Sequence, residues 1–203
     1  MDSPGLEVTF RLTRHVGADI RAVVPQLARL RTTVFRDFPY LYDGDPAYEE
    51  NYLATYVNSP RSVAVLVWHD DKAVGATTAL PLVDETPQVR APFEAAGIDV
   101  ASVFYLGESV LLDAYRGRGL GVRFFQERES HAKKLGFRVA AFCAVQRPAD
   151  HPSRPKRYEP LDAFWHKRGY EKREDLTTTF SWQDVGEDHE TAKLMTFWLK
   201  ELA

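Results

Sequence analysis

The chain has 203 residues, 44% hydrophobic and 27% charged, with a formal net charge of -3 and a sequence pI near 6.1. That balance supports a folded core and excludes a global basic field that would gather nucleic acid or an anionic membrane around the protein, so any anion site has to be local. The lone Cys143 excludes an internal disulfide framework and fits a reducing compartment, so the expected location is cytoplasmic. Met1-Asp2-Ser3-Pro4-Gly5 carries an acid and a turn pair instead of a basic patch followed by an apolar run, and no later segment is apolar enough to span a bilayer.

From Glu7 to Leu12 the residues alternate, with Val8, Phe10 and Leu12 on one face, which predicts a half-buried strand. Ile20, Val23, Val24, Leu27, Leu30, Val34 and Phe35 then recur at three- and four-residue steps, the period of a helix burying one stripe. Pro25 requires either that the regular helix begin there or that it kink there. Phe38 to Pro46 reads as a loop with three large aromatics, and Ala47 to Val57 as a second helix ended by Asn58-Ser59-Pro60. Ser62–Trp68 and Ala73–Leu80 read as a hairpin turning through His69-Asp70-Asp71-Lys72. A turn and a short helix around Phe93 and Ala96 lead back to the sheet.

Val103 to Leu112 is apolar or small apart from Glu108 and Ser109, as in a strand covered on both faces. Beyond a glycine-rich loop, Val122, Phe125, Ala132 and Leu135 share a helix face that Gly136 closes. Arg138–Val145 predicts a buried strand. Gln146–Pro160 is a long basic, proline-rich segment of lid-like length. A short helix over Leu161–Arg168 and two strands, Thr177–Trp182 and Leu194–Leu199, complete the chain. With no repeat and no linker, residues 1–203 read as a single domain.

Strand, loop and helix meet at Arg116-Gly117-Arg118-Gly119-Leu120-Gly121. Amides at a helix start have no partner within the helix, and the helix dipole favours negative charge there, so this junction is built for phosphate oxygens. The ending Gly121-Val122-Arg123 lacks the Lys-Ser/Thr of the NTPase loop, and Gly-x-Gly-x-Gly is not the dinucleotide spacing Gly-x-Gly-x-x-Gly.

The run Leu111 to Gly121 resembles the signature of the GNAT acyltransferases, Arg/Gln-x-x-Gly-x-Gly/Ala after a core strand, and the order of elements resembles that fold along nearly the whole chain. The resemblance implies an α/β architecture, a mixed central sheet flanked by helices. It also implies acetyl-CoA or another short acyl-CoA as co-substrate. Main-chain groups around Val110, Leu111 and Leu112 would pair with the pantetheine arm, and Arg116, Gly117, Arg118, Gly119, Leu120 and Gly121 would hold the pyrophosphate. No metal is expected, since the six histidines and one cysteine show no zinc-ligand spacing.

Acyl transfer to an amine needs a neutral amine, a polarised carbonyl and a proton for the departing thiolate. Glu108, a carboxylate in an apolar strand, needs a partner, a water or a function. The resemblance assigns it the role of base; the alternative is a structural acid paired with an arginine. The tyrosine that many GNAT enzymes use as acid is replaced by Trp165, whose N–H cannot supply that proton. The asparagine of the family after the fifth core strand is replaced around Gln146-Arg147-Pro148. Tyr158 is the preferred donor, ahead of Cys143 and His151. By the same resemblance, Tyr40, Tyr42 and Asp43, with Glu49, would lie beside the acceptor, where acids and aromatics suit a cation.

The resulting expectation is an N-acetyltransferase acting on a small-molecule or peptide amine by direct attack in a ternary complex, without nucleic-acid or membrane partners; a homodimer is left open. The competing expectation is a catalytically silent acyl-CoA-binding sensor or partner subunit, to which Trp165 lends weight.

Overall fold

The computed structural model describes residues 9–203. Among them, seven strands form one mixed sheet in the order β1-β2-β3-β4-β5-β7-β6. The strands are β1 (Phe10–Val16), β2 (Val63–His69), β3 (Lys72–Pro81), β4 (Val103–Leu111), β5 (Val139–Val145), β6 (Glu171–Trp182) and β7 (Thr191–Glu201). Five α-helices accompany them: α1 (Val24–Val34), α2 (Pro46–Asn58), α3 (Pro87–Ala95), α4 (Leu120–Lys134) and α5 (Asp162–His166). No helix among the described residues is long and apolar enough to cross a membrane.

The first strand differs from its predicted span. Glu7 and Val8 lie outside the described residues, and β1 runs on to Val16 because its antiparallel pairing with β2 continues to Val16 opposite Val63. The α-helix starts at Val24 with Pro25 in its first turn, preceded by a 3-10 stretch over Gly17–Val23, so the proline opens the helix and does not kink it. Leu27 and Leu30 are fully buried on this helix, each stabilising the fold by about 1.5–3 kcal/mol. In α2 the Asp45 carboxylate accepts from the amides of Ala47 at 2.7 Å and Tyr48 at 3.0 Å, capping the helix that Pro46 begins.

The last two strands are longer than predicted. The first half of β6 is charged from Glu171 to Asp175, half-buried or exposed there, and so lacks an apolar alternation, yet Glu171 to Arg173 pair with β7 before a register shift resolves at Thr177. The Gln146–Pro160 segment forms no helix or strand.

Two cores sandwich the sheet. One gathers Leu27, Leu30, Leu53, Tyr56 and Phe93 from α1, α2 and α3 against one face. The other packs Phe125 and Ala132 of α4, with Phe164 and Trp165 of α5, against Phe104, Phe142 and Trp198. β4 is covered on both faces, as its composition implied.

Two irregularities set the geometry of β4. Its parallel pairing with β5 covers only Val103 to Tyr105 opposite Val139 to Ala141, so beyond that point its edge away from β3 has no strand partner among the described residues. On the other side, Thr77 faces Ser109 and Ala79 faces Leu106, so Gly107 and Glu108 together oppose Thr78. This bulge reverses the alternation of faces. Tyr105 and Val110 thereby point into the same core, and Glu108 points with Val110 toward α1 and α2.

Candidate active site

Beyond Leu111 the chain makes a 3-10 turn, Asp113–Tyr115, and enters the glycine loop. Gly117 and Gly119 have φ of +73° and +79°, and a Cβ on either would meet nothing within 4 Å. Their requirement for glycine is therefore the left-handed backbone, not crowding by the protein. Gly121 has ordinary backbone, and its nearest potential contact is Phe164 at 3.5 Å. Gly119 occupies the N-cap of α4 without a side-chain cap. No acceptor among the described residues takes the amide hydrogens of Gly119, Leu120 or Gly121. The Arg116 guanidinium reaches Asp113 at 3.2 Å and stays half exposed, and Arg118 makes one long contact to the Ala114 carbonyl at 3.5 Å. These open amides and two lightly held guanidinium groups fit a diphosphate. The edge of β4 that β5 leaves uncovered past Tyr105 fits an extended chain carrying amides, although the Leu111 carbonyl there accepts from Arg116 Nε at 3.3 Å.

Glu108 is 5% exposed and sits at the centre of a polar cluster inside the core. Its Oε2 accepts from Tyr52 Oη at 2.6 Å and from Arg31 Nη1 at 3.0 Å. Its Oε1 is buried with no hydrogen-bond partner among the described residues. Arg31 also donates from Nε to Glu49 Oε2 at 2.6 Å and lies 3.7 Å from the centre of the Tyr52 ring. Burial opposes the Arg31 charge, but Glu108, Tyr52 and Glu49 outweigh it and hold the guanidinium protonated well above its ordinary range. Burial also raises the carboxyl of Glu49, against the pull of Arg31. One oxygen of Glu108 is thus paired with an arginine, while Oε1 of Glu108, like Oε1 of Glu49, has no hydrogen-bond partner among the described residues.

The bulge carrying Glu108 depends on two further residues. A Cβ on Gly107 would stand 1.9 Å from Tyr56 Oη, so only glycine lets that phenol lie against the strand. From α4, the buried Arg128 donates to the carbonyls of Glu108 at 3.2 Å and Thr78 at 3.4 Å and to Ser109 Oγ at 2.9 Å. Burial drives its pKa down to about 10.

The expected proton donors are placed unequally. Trp165 packs between Phe142 and Trp198 in the core on the α4 side. Cys143 is buried, its thiol pushed up to about 12 by burial, with Tyr105 Oη at 3.2 Å. Tyr158 stands edge-on to Phe38 with ring centres 4.7 Å apart, and Arg154 lies 4.8 Å from its ring. Burial raises the Tyr158 phenol above its ordinary range. His151 packs against the same Phe38.

Arg147 ties the proline-rich segment down. It donates to the carbonyls of Pro39 at 2.8 Å and Tyr40 at 2.7 Å and grips Asp184 through both oxygens. Tyr40 stacks on Trp182, and burial raises its phenol above the ordinary range. Tyr42 is mostly buried, and its hydroxyl accepts from the Asp45 amide at 3.0 Å. Asp43 pairs with Arg36 at 2.6 Å. Tyr42 and Asp43, with Asp45, Tyr48, Trp182 and Glu190, line a cleft of about 280 Å³. Tyr40 belongs to the interlocked loops beside that cleft.

Residues 27–170 match the sequence model of the acetyltransferase (GNAT) family. The chain belongs to that family. GNAT folds are also what its solved structural neighbours show. A ribosomal-protein-alanine N-acetyltransferase from Brucella melitensis matches over 96% of this chain and 99% of that one, at 17% identity and a TM-score of 0.61. An acyl-CoA N-acyltransferase from Pseudomonas aeruginosa matches at 16% identity and a TM-score of 0.57, over 95% of this chain and 99% of that one. The ribosomal-protein-S18-alanine N-acetyltransferase from Escherichia coli matches at 9% identity and 0.56, over 96% and 95%. No curated protein matches the sequence. At these identities the likeness is one of fold; GNAT family proteins use acetyl-CoA.

Sequence reasoning missed Arg31, Tyr52, Tyr56 and Arg128. A signal existed for most of them. Arg31 falls on the buried stripe of Leu27 and Leu30, and Arg128 on that of Phe124 and Ala132. Tyr48, Tyr52 and Tyr56 recur every four residues. A charge or a tyrosine ladder on a buried stripe asks for a partner across the core.

Proposed function

We propose that this GNAT protein transfers an acyl group from acetyl-CoA or another short acyl-CoA to a primary amine by direct attack within a ternary complex. The observation that carries the reading is the unpartnered Oε1 of Glu108, a buried carboxylate oxygen beside the opening between β4 and β5. Leaving such an atom unmatched costs free energy unless a ligand completes it, and an ammonium group of the acceptor would do so. Glu108 then takes a proton from the amine. Arg31 and Tyr52 fix the carboxylate through its other oxygen, so the free oxygen is aimed by packing.

The amides of Gly119 to Gly121, with Arg116 and Arg118, would hold the pyrophosphate. The free edge of β4 at Val110, Leu111 and Leu112 would hold the pantetheine arm. Tyr158, a phenol protonated at neutral pH, is the donor proposed for the departing thiolate. Tyr40, Tyr42 and Asp43 would border the acceptor; the cleft's carboxylates and aromatic rings suit a small-molecule or peptide cation.

The test is Glu108→Gln, assayed as thiol release from acetyl-CoA with an amine panel. The variant should keep its thermal stabilisation by CoA and lose about 100- to 1000-fold in turnover, the usual scale for removing a general base. Turnover equal to the parent would remove Glu108 from the chemistry.

A further inference from the structure

Attack on a thioester drives the carbonyl π electrons onto oxygen, and that charge needs a donor until the C=O re-forms and the C–S bond breaks. Glu108 is assigned to the amine and Tyr158 to the thiolate, so neither holds it. The pairing of β4 with β3 points to an amide that can. Leu112 donates to the Val74 carbonyl at 3.0 Å. Ladder bonds alternate along an antiparallel pair, so Val110 bonds Ala76, while Ser109, opposite Thr77, turns its main-chain groups away from β3. On that side lies the edge that β5 leaves uncovered past Tyr105. Ser109 is exposed there between the buried Glu108 and Val110, and no loop carbonyl among the described residues takes its amide hydrogen.

The opposite end of the same peptide group is held by a buried cation. The Glu108 carbonyl accepts from Thr77 Oγ1 at 2.6 Å and from Arg128 Nη1 at 3.2 Å. Arg128 is 2% exposed, and among the described residues its hydrogen bonds all go to neutral oxygens: the carbonyls of Phe124, Thr78 and Glu108, and Ser109 Oγ. With a pKa of about 10 it remains charged at neutral pH. A core cation without a carboxylate beside it is costly, and anchoring a bulge asks only for a neutral donor. The charge itself therefore calls for a role.

We propose that Arg128 polarises the peptide group between Glu108 and Ser109, so that the Ser109 amide binds the oxyanion of the reacting thioester. The proposal rests on the reading of the chain as an acyl-CoA transferase, but not on Glu108 as its base. In a planar trans peptide the C=O and N–H point in opposite directions. A cation donating to the Glu108 oxygen draws electrons from the Ser109 nitrogen and makes its hydrogen a stronger donor toward the opening. Thr77 adds a neutral donor to the same oxygen. Arg128 never meets the substrate; it is a positioning residue that acts through one peptide group.

The test reads the thioester carbonyl directly, on the whole chain and with no acceptor present. Infrared difference spectra of bound acetyl-CoA, with and without an isotope label at the carbonyl carbon, should place the wild-type stretch below its frequency in water. Arg128→Lys, which keeps the charge, should keep most of that displacement. Arg128→Gln, which keeps a donor without the charge, should lose most of it while CoA affinity in calorimetry holds. Thr77→Val should lose a smaller part. With an amine panel, Arg128→Gln should lower kcat about tenfold at unchanged amine KM, short of the roughly 100- to 1000-fold cost of losing an oxyanion donor outright. A displacement kept or lost equally in the Lys and Gln variants makes Arg128 a structural anchor and overturns the proposal. If neither variant folds, a wild-type frequency in Thr77→Val overturns it instead. Acetyl-CoA bound by the wild type with an undisplaced carbonyl overturns the oxyanion site and leaves the coenzyme loop standing. No binding of acetyl-CoA at all overturns both the proposal and the acyltransferase reading.

Discussion

Two regions flank the opening between β4 and β5, and they are built from opposite materials. The loop from Arg116 to Gly121 is exposed or half-exposed apart from Leu120, and its chemistry lies in main-chain amides that the protein leaves free. The cluster around Arg31 and Glu108 is buried, and its chemistry lies in side chains from α1, α2 and β4 that pair through Arg31 and Tyr52 and leave Oε1 of Glu49 and of Glu108 without a partner among the described residues. The first needs only a local backbone path. The second needs three elements brought into register, and it is costly to disturb because a charge stripped of its partner in the core cannot turn to water.

The sharpest way to break this contrast is Arg31→Met, which leaves Glu49 and Glu108 facing each other without their shared cation. Stability should fall by about 3–5 kcal/mol in denaturant unfolding, and a second change, Glu49→Gln, should restore part of the loss. A drop under about 1 kcal/mol would mean that the cluster is wet and weakly coupled. Next in size is Gly119→Glu, which places a carboxylate where phosphate is expected. CoA affinity should fall roughly 100-fold in calorimetry, while Gly119→Ala, sharing the backbone strain but not the charge, falls far less. Equal losses in the two would assign the effect to the backbone alone. The smallest effect is expected at Gly121→Ala. A Cβ there meets only Phe164 at ordinary contact distance, and alanine favours the helix by about 0.5–1 kcal/mol. Melting temperature should rise slightly with CoA affinity within about threefold; a collapse in affinity would place the phosphate directly against residue 121.

How much was readable in advance divides along the same line. The hairpin spacing of β2 and β3 around a charged turn, the apolar run of β4 and the stripe of α4 each announced an element, because each pattern is local. The charged half of β6 did not, since an exposed strand at the sheet edge needs no apolar face. Glu108 stood out as a lone acid in an apolar strand. Its partners did not, because Arg31 is 77 residues away and Tyr52 is 56 residues away along the chain.

The sequence by itself determined the glycine loop, the strand before it and the helix after it, since left-handed turns, capping and burial period are properties of neighbouring residues. Only the tertiary structure decided that β4 carries a bulge at Gly107 and Glu108, and that this bulge turns Glu108 toward Arg31 and Tyr52. One extra residue in a ladder reverses every face beyond it, and whether it is tolerated depends on what distant side chains such as Arg128 and Tyr56 offer to the backbone it displaces.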